Sequence, residues 1–301
     1  MKFRTEYPAI PSSLKLSPKK PVVLVGSCFS QNIKNKMTEH MWDSINPCGT
    51  LYNPVSISIA IGMMLDDATG KMQFEKTLFN YNGIWHSHLF DSSFSSDVKE
   101  DCVKEFIFQQ QLFNDKLREG KVLIVTFGTS ICYFLKEEKD PVGNCHKQPA
   151  NIFVERRLEV EEIAETWNYL LKDLSLKFPD LRIIFTVSPV RHLKNGFVEN
   201  SRSKAILQLA VEKICRTNEM CNYFPAFEIL NDDLRDYRFY ASDLVHPSEE
   251  GINYIWEKFR ETYINAEGVR ILNEGGKKVK ALTHRPLLGA LQRPIEKGTH
   301  P

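Results

Sequence analysis

Pro21-Val22-Val23-Leu24-Val25-Gly26-Ser27-Cys28-Phe29 is the stretch that decides the fold. An unbroken apolar, β-branched run that meets Gly-Ser predicts a strand buried on both faces, whose carboxyl end turns directly into a helix. A serine at that joint stands at a helix start, where amide donors gather and negative charge is favoured. It is placed like a nucleophile. Far downstream, Ser242-Asp243-Leu244-Val245-His246-Pro247 supplies what a hydroxyl lacks, an imidazole to take its proton and a carboxylate to hold that imidazole. Ser27, Asp243 and His246 together predict a Ser/His/Asp hydrolase. Either half alone has a plainer meaning, a helix cap or a turn. Their presence in one α/β chain carries the reading.

Outward from β-run and serine, apolar runs recur at Val122 to Phe127 and Arg182 to Val187, with weaker strand candidates at Met41 to Ile45 and Tyr223 to Ile229. Between them lie helical patterns: Pro54 to Leu65 behind an Asn53 cap, Val98 to Leu117, Glu159 to Lys177, Ser203 to Thr217 and Ser248 to Tyr263. This alternation predicts a three-layer α/β/α sandwich around a mostly parallel five-stranded sheet. One hydrolase domain is expected over residues 21–265, with a lid or wall inserted at 71–97. Residues 1–20 and 266–301 form extensions. The stretch from Asn273 to Pro301, with its glycines, prolines and basic segment Lys277 to Arg285, is expected to pack on the surface or be partly disordered.

Ligands of such sheets collect beyond the carboxyl ends of the strands. The segments there are polar: Ser27, then Asn46-Pro47-Cys48-Gly49-Thr50, Gly128-Thr129-Ser130, and Ser188-Pro189-Val190-Arg191-His192.

Composition narrows the partners. The 301 residues, 42% of them hydrophobic, suffice for a sizeable core. Thirty-nine basic and 38 acidic side chains leave a formal charge of +1, which gives no general pull toward nucleic acid or an acidic membrane. A small-molecule ester is the expected partner. No apolar run is long enough to span a bilayer and the first residues lack the apolar core of a signal peptide, so a cytoplasmic location is expected. Seven cysteines without regular spacing predict reduced thiols rather than a disulfide framework.

Gly26-Ser27-Cys28-Phe29-Ser30 resembles the signature of the GSCFA family, a bacterial branch of the SGNH (GDSL-like) hydrolases, with serine in place of the final alanine. Tyr52-Asn53-Pro54, Trp85-His86-Ser87-His88, Thr126-Phe127-Gly128-Thr129-Ser130, Asn144-Cys145-His146-Lys147, Ser188-Pro189-Val190-Arg191-His192 and Asp236-Tyr237-Arg238-Phe239-Tyr240 resemble its other blocks, in order. The resemblance implies a flavodoxin-like sheet of order 2-1-3-4-5. It puts Ser27 on the nucleophile, Gly49 on a glycine whose amide binds the oxyanion, and Asp243 and His246 on the Asp-x-x-His pair. One block departs from it. Where SGNH hydrolases carry Gly-x-Asn, this chain reads Gly128-Thr129-Ser130, which leaves Asn53, Asn144 and Ser130 as candidates for the third oxyanion donor.

The expected chemistry is acyl transfer from an ester. His246 lies within about 2.6–3.2 Å of the Ser27 hydroxyl in such a site, or farther off without ligand, Asp243 holds the other ring nitrogen, and the amides of Ser27 and Gly49 receive the oxyanion. An acyltransferase using the same serine, and a non-catalytic carbohydrate or acyl-group binding protein, are the alternatives. Cys28 is the weaker nucleophile, because its position supplies an amide and turns its side chain into the core. Trp85, His86, His88 and His146 are expected to line the substrate pocket. With Cys145 these histidines have ligand chemistry, but their spacing matches no closed zinc motif, so neither metal nor cofactor is expected. Arg191 and His192 are read either as binders of a substrate carboxylate or phosphate, or as partners of Asp236 or Glu199.

Overall fold

The computed structural model describes residues 4–283. The chain runs β1 (Val22–Gly26), α1 (Cys28–Glu39), β2 (Ser44–Ile45), α2 (Pro54–Leu65), α3 (Gly70–Lys76), β3 (Leu78–Tyr81), β4 (Ile84–Ser87), α4 (Lys99–Gly120), β5 (Val122–Phe127), β6 (Ile131–Leu135), β7 (Pro141–Val142) and β8 (Phe153–Arg157). It continues through α5 (Val160–Lys177), β9 (Arg182–Val187), α6 (Gly196–Thr217), β10 (Cys221–Tyr223), α7 (Ala226–Glu228), α8 (Glu249–Tyr263) and α9 (Ala266–Thr283).

Five of these strands pair in parallel in the order β2-β1-β5-β9-β10. Numbered within the sheet, that is the 2-1-3-4-5 order expected above. Alternate residues feed two cores, as a period of two requires. Val23, Val25, Leu123, Val125, Ile183 and Phe185 face the side covered by α2, α4, α5 and α6, where Phe106, Phe113, Trp167 and Leu207 are fully buried. Leu24, Ile124 and Ile184 face the other side, against Phe29 and Met37 of α1, Trp256 and Phe259 of α8, and Leu272 of α9. Trp167 packs edge-on against Phe127 and Phe185, and its indole N–H donates to the Pro54 carbonyl at 3.1 Å, so α2 and α5 are fixed together over the sheet.

Local chemistry explains the differences from the sequence reading. The strand expected over Tyr223 to Ile229 ends at Tyr223. The Phe224 N–H makes the last ladder bond to the Phe185 carbonyl, Pro225 has no N–H to continue it, and the chain turns helical through Leu234. The strand expected from Met41 is only Ser44–Ile45, because Met41 adopts a left-handed φ of 57° in the turn after α1. The expected helix from Ser203 begins at Gly196. The insertion at 71–97 is α3, the β3–β4 hairpin and a turn at Ser92–Phe94. A second small sheet, β7-β6-β8, had no clear sequence signal because its strands are short and half-exposed. The C-terminal extension is helical to Thr283, with Leu272 buried and its carbonyl paired with His40 Nδ1 at 2.9 Å. Residues 284–301, including Arg285 at the end of the basic stretch, lie outside the described residues.

A lysine is built into the core. Lys204 of α6 is 2% exposed, and its Nζ donates to the carbonyls of Gly128 (2.6 Å) and Ser188 (2.7 Å), which ties the segments after β5 and β9 to one helix. Burial lowers its pKa from the ordinary 10.5 to about 7. The unfolded chain therefore binds more protons than the folded one between about pH 7 and 10.5, and in that window this group makes stability rise with pH by up to ~1.4 kcal/mol per unit. Below pH 7 its contribution is flat. The difference in unfolding free energy between the wild type and Lys204→Met, from urea titrations at pH 7, 8 and 9, should grow in favour of the wild type as pH rises. A constant difference would mean that Lys204 keeps an ordinary pKa in the fold.

Candidate active site

The β1–α1 joint is shaped by a close approach. Gly26 has φ +134°, and a β-carbon there would sit 2.2 Å from the Thr126 carbonyl oxygen, so only glycine lets β1 end pressed against β5. Ser27 follows as the N-cap of α1, its amide donating to that same carbonyl at 3.1 Å and its own carbonyl accepting from Ser30 at 2.8 Å. Its side chain is sealed from solvent and the Oγ has no hydrogen-bond partner among the described residues.

On the β5 side, the amides of Gly128 and Thr129 both donate to the Tyr52 carbonyl, at 2.8 and 3.1 Å. Gly128 has no side chain, and the space is needed: Ser27 Cβ and His192 Nε2 each lie 3.2 Å from the point where its β-carbon would sit. The His192 backbone amide donates to Asn200 Oδ1 at 2.8 Å and its ring stands edge-on to Tyr52, with centroids 5.6 Å apart. Its Nε2 is buried without a partner among the described residues. Burial first, then the charges of Lys204 and His246, hold its pKa down at about 3, so the ring is a neutral imidazole.

The Asp-x-x-His segment forms a tight loop. Asp243 Oδ2 accepts from His246 Nδ1 at 2.7 Å, while Oδ1 accepts the amides of Val245 (2.9 Å) and His246 (3.0 Å). Those two amide bonds, ahead of the imidazole itself, lower the carboxyl pKa to about 2. The loop closes through Ala241 N–H to the His246 carbonyl at 2.8 Å, with Leu244 in a left-handed turn at φ 57°. Arg191 anchors it from outside. Its amide donates to the Val245 carbonyl at 3.1 Å, and its guanidinium lies 4.1 Å over the Tyr240 ring and 5.0 Å over Tyr237. It pairs with neither Asp236, which holds Arg238, nor Glu199, which holds Arg157 and Arg202.

The His246–Asp243 half of the expected relay is thus formed, and the Ser27–His246 hydrogen bond is not. The direct contact at hydrogen-bond length is absent, and the Ser27 hydroxyl is left without a partner among the described residues. The two side chains stand on separate loops, one sealed and one about half exposed, with His246 near enough to His192 to act on its charge state. Cys28 beside the serine is a thiol: burial raises its pKa more than the nearby amides of Phe29 and Cys28 lower it.

The expected oxyanion donors are largely engaged. The Ser27 amide belongs to the ladder with Thr126, and the Gly49 amide closes a turn on the Asn46 carbonyl at 3.4 Å. Gly49 itself sits at φ +66° with the Asp91 carboxyl packed 2.5 Å from where a β-carbon would be. Asn53 caps α2, accepting the Ser56 amide at 2.8 Å and donating to the Ser56 hydroxyl at 3.0 Å. Ser130 donates its amide to Ser203 Oγ at 2.7 Å and keeps a buried hydroxyl that has no partner among the described residues. Asn144 accepts the His146 amide at 2.9 Å and borders a cavity of about 300 Å³. That cavity is walled also by Tyr52, Thr129, Tyr133 and His192.

Trp85, His86, His88 and His146 do not line that cavity. They pin the β3–β4 hairpin instead. His146 Nε2 donates to the carbonyls of Ser87 and Phe90 at 2.8 and 2.9 Å, and His86 stacks on it at 4.4 Å while pairing with Ser95. His88 stacks on Phe79 at 3.9 Å and pairs with Gln148, and Trp85 lies under Lys99. Among the described residues no group of three or more His, Cys, Asp or Glu side chains is arranged to hold a metal ion, and no helix is long and apolar enough to cross a membrane. Lys204 and the Tyr52 carbonyl were not anticipated. The lysine had a signal, since it shares a helical stripe with Leu207, Val211 and Ile214, where a cation is out of place.

The chain matches the model of the GSCFA family over residues 21–259. No curated protein matches it. Among solved structures, a protein of Parabacteroides merdae assigned as a GDSL-like lipase aligns at 12% identity and TM-score 0.39, covering 87% of this chain and 100% of that one. A carbohydrate esterase family 3 protein of Talaromyces cellulolyticus aligns at 8% identity and TM-score 0.35, covering 85% and 99%. Likenesses this distant carry no argument about chemistry. The family match does cover the whole sheet and every residue of the site, from Ser27 to His246, and on that ground this chain belongs to the GSCFA family.

Proposed function

We propose that this protein is a serine esterase of the SGNH type acting on a small polar ester, an O-acetylated carbohydrate being the substrate of first choice. The observation that carries the proposal is the Asp243–His246 couple, hydrogen-bonded at 2.7 Å, in a chain whose strand-end Ser27 bears an unpartnered hydroxyl at the start of α1. In the proposed cycle His246 Nε2 takes the Ser27 proton, Oγ attacks the ester carbonyl, and the alcohol leaves with the proton from His246. Water, deprotonated by the same imidazole, then attacks the acyl carbon and frees the acid and Ser27. Asp243 fixes the ring orientation and stabilises its charged form. Ser27 is sealed in this state, so side chains beside it must shift to admit substrate and bring His246 into reach.

The neighbouring cavity, about 300 Å³ and bordered by Tyr133, Asn144 and Asn195, is at the small end of ligand sites. It suits a short acyl group on a polar carrier better than a long lipid chain. The same engaged amides that leave the oxyanion poorly served favour a second reading, a binding protein without turnover. An acyltransferase would use the same serine and exclude water.

Hydrolysis of p-nitrophenyl acetate and of acetylated sugars is the test. Ser27→Ala should abolish turnover and leave the melting temperature unchanged. His246→Ala should be nearly as damaging. Asp243→Ala should lose roughly tenfold to a hundredfold less than either, because nucleophile and base remain. Equal activity of Ser27→Ala and wild type on an ester that the wild type hydrolyses would sink the mechanism. Acetylated product on an added sugar acceptor would identify a transferase.

A further inference from the structure

We propose that His192 is a further catalytic residue, whose Nε2–H donates a hydrogen bond to the oxyanion formed when Ser27 attacks the ester carbonyl. The inference rests on the esterase reading above and adds a role to a residue that reading does not use.

Three observations meet at this ring. The first is placement. Ser27 Cβ and His192 Nε2 flank the missing side chain of Gly128, each 3.2 Å from its β-carbon position, so an adduct built on the Ser27 oxygen grows into reach of that nitrogen. The second is the unmet atom. A buried polar group without a partner costs roughly 1–3 kcal/mol, and here two such atoms, Ser27 Oγ and His192 Nε2, lie on either side of one glycine. Both are satisfied at once by a tetrahedral adduct, whose carbon bonds to Oγ and whose oxygen accepts from Nε2. The third is the state of the alternatives. The amides of Ser27, Gly49 and Ser130 and the side-chain amide of Asn53 already have partners, which leaves the Ser130 hydroxyl, a weaker donor, and the Asn144 side-chain amide as the competitors.

The ring is also suited to donate rather than to accept a proton. It carries no carboxylate partner, whereas His246 has Asp243. Burial first, and after it the charges of Lys204 and His246, oppose a charge on the ring. Above about pH 3 the ring is a neutral imidazole that presents one N–H, a donor in place before charge develops in the transition state. The frame is rigid: Asn200 holds the His192 amide, Tyr52 flanks the ring, and Lys204 grips the carbonyls of Gly128 and Ser188 on either side.

The experiment compares wild type, His192→Phe, His192→Asn and Asn144→Ala on one ester, with thermal melts to verify folding and with the rate of labelling by a fluorophosphonate. His192→Phe should lower kcat about 100- to 1,000-fold, with KM changed by a few-fold at most. The pH profile of kcat/KM should keep its shape, because the base is untouched. His192→Asn, which restores an N–H, should recover part of the loss. Labelling of Ser27 should slow in parallel, since the phosphonyl oxygen needs the same donor. Folded His192→Phe with wild-type kcat, a rise in KM alone, or a kcat loss confined to Asn144→Ala would overturn the proposal while leaving the esterase reading intact. If His192→Phe does not fold, a folded His192→Asn with labelling and kcat lost as completely as in Ser27→Ala would overturn it too. A wild type that neither turns over nor labels would overturn both.

Discussion

The contact on which the site depends is the one between Gly26 and the Thr126 carbonyl. Because nothing larger than hydrogen fits there, β1 and β5 stay in register to their very ends, and Ser27 enters α1 with its amide on the same oxygen. Everything chemically relevant is then positioned against that joint. The Tyr52 carbonyl captures the two amides after β5, Lys204 captures the carbonyls after β5 and β9, and the glycine between them leaves room for Ser27 and His192 to approach. A buried lysine with its pKa lowered to about 7 is a costly way to join two loops. It delivers two carbonyl contacts from one side chain without placing a carboxylate beside the serine, where a negative charge would oppose an oxyanion.

The loop bearing Asp243 and His246 is assembled on its own account. Its hydrogen bonds run within Ala241 to His246 and to Arg191, and the carboxylate is saturated by two amides and one imidazole nitrogen. On the proposed mechanism it is a base already joined to its orienting group, on a loop separate from a serine that is still covered. If Ser27 is the nucleophile, as proposed, separating it from the base keeps the hydroxyl from water until a substrate displaces what covers it.

Much of this was legible in the sequence, and the reasons differ by element. β1, β5 and β9 were plain because strands buried on both faces must be apolar throughout. The Asp243–His246 pair was legible only beside the strand-end serine, because Asp-x-x-His alone reads equally as a turn, and a tight turn is what its backbone forms. The end of the last strand was missed, although Pro225 marks it, since the apolar residues continue into the following helical turns. The histidines of the hairpin looked like pocket residues because sequence cannot tell an imidazole that binds a ligand from one that donates to the Ser87 and Phe90 carbonyls. His192 was visible as a polar residue after a strand, but its relation to Ser27 passes through Gly128, a residue remote in sequence from both.

The central claim is that Ser27, and not Cys28 or any other group, is the nucleophile. Mass spectrometric mapping after treatment with a fluorophosphonate tests it most directly. The account predicts a single phosphonyl adduct on the peptide containing Gly26-Ser27-Cys28, assigned by fragmentation to Ser27 and absent in both Ser27→Ala and His246→Ala. An adduct on Cys28 or elsewhere, or equal labelling of Ser27→Ala, would contradict it.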